Sequence, residues 1–201
     1  MDLLEDINLY LPKYLSADNL EELKKQLRAW GEGHDPGEFF TTKLKKEPFL
    51  FQGDSTNALI GYFPDPKIQE GKVLLLSNTC DMDPTNKRLN PSRVMYAPIL
   101  NLDKYIESLK KNDVSEEKIN NHIQDLKSQT ISQIFYLPTY HIWGYDSMVL
   151  FDRAISIHLN SDNVRTMVDT RHFTLSNFGF YLLVLKLSYH FSRIQERVDR
   201  D

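Results

Sequence analysis

Two neighbouring residues of the stretch VLLLSNTCDMDPTNKR, Val73 to Arg88, could do chemistry: Cys80, the single thiol of the chain, and Asp81. A catalytic cysteine needs an exposed position and a pKa lowered by a histidine or a helix amino terminus. His141, His158, His172 and His190 all lie far downstream, and no spacing selects one of them. Lone cysteines pack more often than they react. Cys80 is therefore expected to be buried at the end of an apolar strand, in a structural loop of Ser77, Asn78, Cys80 and Asp81 where Asn78 and Asp81 accept backbone hydrogen bonds.

One cysteine and six scattered histidines offer no zinc spacing. Asp81, Asp83 and Asn86 are spaced like the start of a calcium loop, but the glycine and the distal glutamate that such a loop needs are missing. Neither a phosphate-cradling glycine pattern nor a G-x-S-x-G elbow occurs. No metal and no cofactor are expected.

A second set of residues is aromatic. Tyr136, Tyr140, Trp143, Tyr145 and Phe151 fall within FYLPTYHIWGYDSMVLF. Interleaved with cations, such rings stack unpaired bases. Here only His141 and Arg153 are close in sequence. The expectation is that alternate rings fill a core while the 138–146 loop presents Tyr140, Trp143 and Tyr145, with Arg153 nearby, to a protein partner.

The elements that must position these residues follow from patterning. A chain of 201 residues with 41% hydrophobic content can bury a sizeable core. The net charge of -4 gives no broad attraction to nucleic acid. The amino terminus lacks the basic start and apolar run of a secretory signal, and no run reaches ~18 apolar residues, so a cytoplasmic protein without a membrane span is expected.

Leu20, Leu23, Leu27 and Trp30 recur at helical spacing after Ser16 or Asp18 as a cap, and Gly31 and Gly33 end that helix. Short apolar runs then predict strands at 48–52, 58–63, 73–77, 94–99, 134–138, 148–152 and 154–159, paired mostly antiparallel. Between Asn101 and Ser132 lie two charged helical pieces, the second opened by a capping box of Asp113 and Glu116. A last helix starts at Ser176 and sets Phe178, Leu182, Leu185 and Tyr189 on one face, enough to cover the body of the domain and leave a homodimer contact open.

The order of FQGDSTNALIGYF, GKVLLLSN, VMYAPILNL and DSMVLFDRAISIHL, followed by HFTLSNFGFYLLVLKLSYHF, resembles the successive blocks of the MazF/PemK family of bacterial growth-inhibitor toxins. Ser77-Asn78-Thr79-Cys80-Asp81, an S-x-T-C-D element, makes it look like a divergent member. The resemblance covers about residues 49–194, apart from the helical insertion at 101–132. It implies an α+β fold of mainly β core: an SH3-like antiparallel β-barrel over 48–201, with an amino-terminal helical extension at 1–47, the helical insertion and a carboxy-terminal helix.

The family cleaves single-stranded RNA, using an arginine before the VLS-type strand and a threonine or serine after the proline-hydrophobic pair. Glu70-Gly71-Lys72 and Leu100 occupy those places here. Two expectations follow. One is a non-catalytic module that binds a protein encoded nearby, as a regulatory or accessory component of a bacterial stress response or anti-phage defence. The other is a metal-independent endoribonuclease with a relocated site built from Lys72, Asp81 and Arg88, joined by Arg153 or His172.

Overall fold

The computed structural model describes residues 17–31, 38–62, 67–83, 85–86, 89–90 and 92–192. Its organising feature is the run Val73-Leu74-Leu75-Leu76, in which all four side chains are buried. A strand with both faces covered reads as a continuous apolar run rather than an alternation. Strand β3 (Ile68–Leu75) is that strand: Val73 and Leu75 face one core, Leu74 and Leu76 the other.

Around it lies an eight-stranded antiparallel sheet. Its strands are β1 (Phe40–Thr41), β2 (Asp54–Gly61), β3, β4 (Arg93–Asn101), β5 (Ile134–Leu137), β6 (Ser147–Leu150), β7 (Ile155–His158) and β8 (Phe173–Leu175). The hydrogen-bonded path runs β1-β8-β2-β3-β4-β6-β5, with β7 also on β4. The fold class is thus α+β with an antiparallel sheet, as expected, but the sheet does not close into a barrel. Its path ends at β1, only two residues long, and at β5.

Strand β4 has two successive partners. One stretch of it, Arg93 to Tyr96, pairs with β7, and another, Ile99 to Asn101, with β6. Pro98, which has no N–H to donate, sits in the gap between the two.

Six α-helices occur among the described residues: α1 (Ala17–Gly31), α2 (Thr79–Met82), α3 (Leu102–Lys111), α4 (Glu116–Lys127), α5 (Ser161–Asp169) and α6 (Asn177–Ser192). Helices α1 and α6 cover the core that contains Leu74 and Leu76, contributing Leu23, Phe178, Leu182 and Leu183. Met167 of α5 closes the opposite core over Val73, Leu75 and Tyr96. The α3–α4 pair forms a satellite core through Leu102 and Leu126 against Ile134, Tyr136 and Met148.

Several boundaries differ from the sequence reading. Residues 48–52 are turn and coil, because Asp54 turns its carboxylate back to the N–H of Phe51, and the strand begins only at Asp54. Asp113 does not cap α4: it has φ +57° in the preceding turn, and Ser115 occupies the cap position. Phe151 to Arg153 form a short 3-10 turn that splits the two last predicted strands. Ser16 lies outside the described residues, while Ser176 caps as expected, its Oγ accepting the N–H of Gly179 at 3.2 Å. Tyr189, predicted on the buried face of α6, is exposed beyond the edge of the core.

Helix α6 crosses the chain near β1 so closely that a Cβ on Gly179 would stand 2.6 Å from the backbone oxygen of Phe39. That oxygen is fixed, since it accepts the N–H of Ser176 at 3.0 Å. Gly179→Ala is expected to destabilise by about 1–3 kcal/mol through overpacking, although alanine is the better helix former by ~1 kcal/mol. Thermal unfolding of the variant checks this; an unchanged midpoint would contradict the close approach.

Candidate nucleic-acid interface

The loop from Pro138 to Asp146 is braced at both ends. Tyr136 Oη donates to Asp146 Oδ2 at 2.8 Å, Thr139 Oγ1 donates to Asp146 Oδ1 at 2.5 Å, and Lys127 Nζ of α4 stands 3.1 Å from Oδ2. Burial alone would raise the Asp146 carboxyl, but these three donors outweigh it and hold the group below the usual carboxylate range. Burial first, and the Asp146 carboxylate second, push the Tyr136 hydroxyl far above its ordinary value. Within the loop, the N–H groups of Trp143 and Gly144 both donate to the carbonyl of Tyr140 at 2.9 Å. Gly144 turns there with φ +69°, a region that costs a side chain strain.

This braced loop lays its rings against the sheet. Lys72 of β3 sits directly across from Asn57 of β2. Its Nζ donates to Tyr145 Oη at 2.7 Å and lies 4.1 Å from the centre of the Trp143 ring and 5.2 Å from that of Tyr145. The two rings stack at 6.0 Å and 21°. His172, just before β8, meets Trp143 edge-on at 5.4 Å, and its Nε2 lies 3.0 Å from Asn57 Oδ1. The amide oxygen only accepts, so Nε2 carries the proton and Nδ1 keeps a lone pair. Burial, then the positive charges of Lys72 and Lys45, hold the imidazole below its ordinary pKa of 6.5, so it is neutral at pH 7.

Lys72, Tyr145, Trp143, His172 and Asn57 are all half-buried. Two stacked rings beside an ammonium group suit a base and its phosphate, and a neutral imidazole next to that ammonium suits proton removal. The aromatic loop thus gains a cation it lacks in sequence, Lys72 from β3, and His172 beside it feels the charge of Lys45 in the turn at 43–46.

Other expected site residues fall elsewhere. Tyr140 is 2% exposed, so it is a pillar of the loop and not a presented contact: its Oη donates to the carbonyl of His172 at 2.9 Å, and its ring packs on Phe173 and Trp143. Arg153 is exposed in the 3-10 turn, where with Asp152 it shapes the surroundings of Tyr62. Asp81 lies in α2, past the carboxyl end of β3, which is itself about 10 Å of strand beyond Lys72. Arg88 lies outside the described residues.

Cys80 is exposed, contrary to expectation. The chain turns helical at Thr79, so Met82 rather than Cys80 points inward, at 1% exposure. Asn78 and Ser77 do shape the loop: Asn78 Oδ1 accepts the N–H of Cys80 at 2.9 Å, and Ser77 Oγ accepts that of Met95 at 2.7 Å.

Among the described residues no group of three or more His, Cys, Asp or Glu side chains could hold a metal ion, and no helix is long and apolar enough to cross a membrane. No protein-family model matches the chain, and no curated protein is significantly similar to it.

Proposed function

We propose that this protein binds single-stranded RNA on the Trp143–Tyr145–Lys72–His172 patch, as a divergent relative of the MazF/PemK barrels whose sheet has opened. The observation that carries this reading is the placement of one ammonium group over two stacked rings, 4.1 Å and 5.2 Å from their centres, beside a neutral imidazole. Ring stacking is tolerant of sequence, and the cations attract the backbone, so binding should be salt-sensitive and weakly sequence-dependent.

Trp143→Ala is expected to weaken binding of a labelled single-stranded RNA by about 1–3 kcal/mol, or ~5- to 150-fold, with Trp143→Phe keeping most of it. Fluorescence anisotropy measures this. Parent protein that leaves such RNA unbound at low salt would overturn the reading.

The same site supports cleavage without metal. His172 would take the proton of a ribose 2′-hydroxyl, whose oxygen attacks the adjacent phosphorus. The bond to the 5′-oxygen then breaks, that oxygen takes a proton from water, and Lys72 offsets the negative charge of the phosphorane. The products would be a 2′,3′-cyclic phosphate and a 5′-hydroxyl. Their appearance with the parent and absence with His172→Ala is the expected result; equal cleavage by the variant would remove His172 from the chemistry.

A second reading, a docked protein partner, is favoured by Leu59 and Ile68, which are 61% and 68% exposed. Both share the Lys72 face of the β2–β3 ribbon, where Asn57, Leu59 and Gly61 pair with Lys72, Glu70 and Ile68. A partner seated there would cover the RNA patch, so Leu59→Ser should weaken its capture and leave RNA binding intact.

A further inference from the structure

Next to the patch, with Tyr140 in its lining, is a cavity of about 400 Å³ also lined by Glu38, Thr41, Thr42, Lys43 and His141. Tyr140 borders both, its ring lying 5.6 Å and 87° from that of Trp143 and 4.6 Å and 64° from that of His141. The turn that follows β1 serves both sides: Lys43 lines the cavity, while Lys45, two residues on, is close enough to His172 to lower its pKa. Arg171 pins the backbone of this turn, its Nη1 donating to the carbonyls of Leu44 at 2.6 Å and Glu47 at 3.0 Å.

We propose that this cavity is a second nucleotide subsite, and that the ligand is a strand of at least two linked nucleotides instead of a mononucleotide. The inference rests on the reading of the Trp143 patch as an RNA site. One base stacks at Trp143 and Tyr145, the linking phosphate passes Lys45, and the next nucleoside enters the cavity. There Thr41, Thr42 and Glu38 supply hydroxyl and carboxylate partners for sugar hydroxyls or base amines, and Lys43 and His141 face the following phosphate. The single carboxylate, Glu38, makes the cavity poor for a free phosphate and better for a nucleoside flanked by phosphates.

The test compares a labelled six-nucleotide single-stranded RNA with adenosine monophosphate as a competitor, on folded full-length protein. The double variant Lys43→Ala/His141→Ala is expected to bind the hexamer about tenfold more weakly, while displacement by the mononucleotide at the Trp143 patch is unchanged. Parent-like affinity of the double variant for the hexamer would overturn the subsite and leave the Trp143 reading standing. Parent protein that binds neither ligand would overturn both. A loss of both ligands in Trp143→Ala, with only the hexamer weakened in the double variant, supports the two-subsite arrangement.

Discussion

Arg171→Ala is expected to destabilise the fold by about 3–5 kcal/mol, read as a fall in the urea midpoint with the slope unchanged. Arg171 and Asp54 are both almost fully buried, and Arg171 Nε donates to Asp54 Oδ2 at 2.9 Å. Burial raises the Asp54 carboxyl above its ordinary value, while Thr174 Oγ1 at 2.5 Å, the Arg171 charge and the N–H of Phe51 at 2.9 Å pull it back. Removing the guanidinium leaves a buried carboxyl without its counter-charge. It also strips donors from the carbonyls of Leu44, Glu47 and Phe49.

That second loss makes an apolar rescue partial. Arg171→Met combined with Asp54→Leu should recover part of the stability, because buried ion pairs can be replaced by packing, but the carbonyls of Glu47 and Phe49 lose their donor, while that of Leu44 keeps the N–H of Glu47 at 3.1 Å. The variant has a functional consequence too. Lys45 sits between Leu44 and Glu47 on the clamped turn, so loosening it should raise the His172 pKa toward 6.5, measurable by NMR titration of the imidazole. A variant within ~1 kcal/mol of the parent would show that Arg171 does not clamp the turn.

Lys186→Met is expected to stabilise the protein at pH 7 by about 1–3 kcal/mol. Lys186 is buried in α6 with the carbonyl of Gln129 as acceptor, and burial lowers its pKa from 10.5 to about 8. Between pH 8 and 10.5 the unfolded chain binds more protons at this site than the folded one, so stability from this group rises with pH across that window. Below about pH 8 the penalty of charging a buried amine is fully present. The advantage of Lys186→Met should therefore be largest at and below pH 8 and shrink as pH approaches 10.5. Chemical unfolding of both proteins at several pH values measures the gap, and a gap that is constant with pH would contradict a buried, neutralisable amine. Part of the gain is offset because the methionine cannot donate to Gln129, a bond to a charged group worth about 1.5–3 kcal/mol.

Patterning alone made several elements legible, each for a local reason. The VLLL run announces a strand covered on both faces, and Ser176 announces the start of α6, because these signals lie within a few residues of the element they define. The insertion between Asn101 and Ser132 reads correctly as two helices because their apolar residues recur over ten or more positions. Strands β1 and β8 are too short for an alternation to register, and α5, nine residues with Asn160 as cap, is too short for its apolar spacing to stand out. The exposure of Cys80 escaped the sequence reading for a similar reason. Four residues of helix after a strand change which side chain points inward, and a strand period extended past Ser77 gives the wrong face.

The candidate site divides along the same line. The contiguous parts are legible locally: an aromatic loop at 138–146, a lysine next to the VLLL run, and a net charge that makes any nucleic-acid surface a local one. That these parts meet is a property of the packed chain. Lys72 and Tyr145 are 73 residues apart in sequence, and Asn57 and His172 are 115 apart. Their contacts depend on strand register: Asn57 opposite Lys72, and the N–H of His172 on the carbonyl of Ser55 at 2.8 Å. A slip of one residue in either pairing would turn Lys72 or Asn57 to the opposite face of the sheet. Register is set by which side chains fill the two cores around β3, a property of the whole packed chain that no single segment carries.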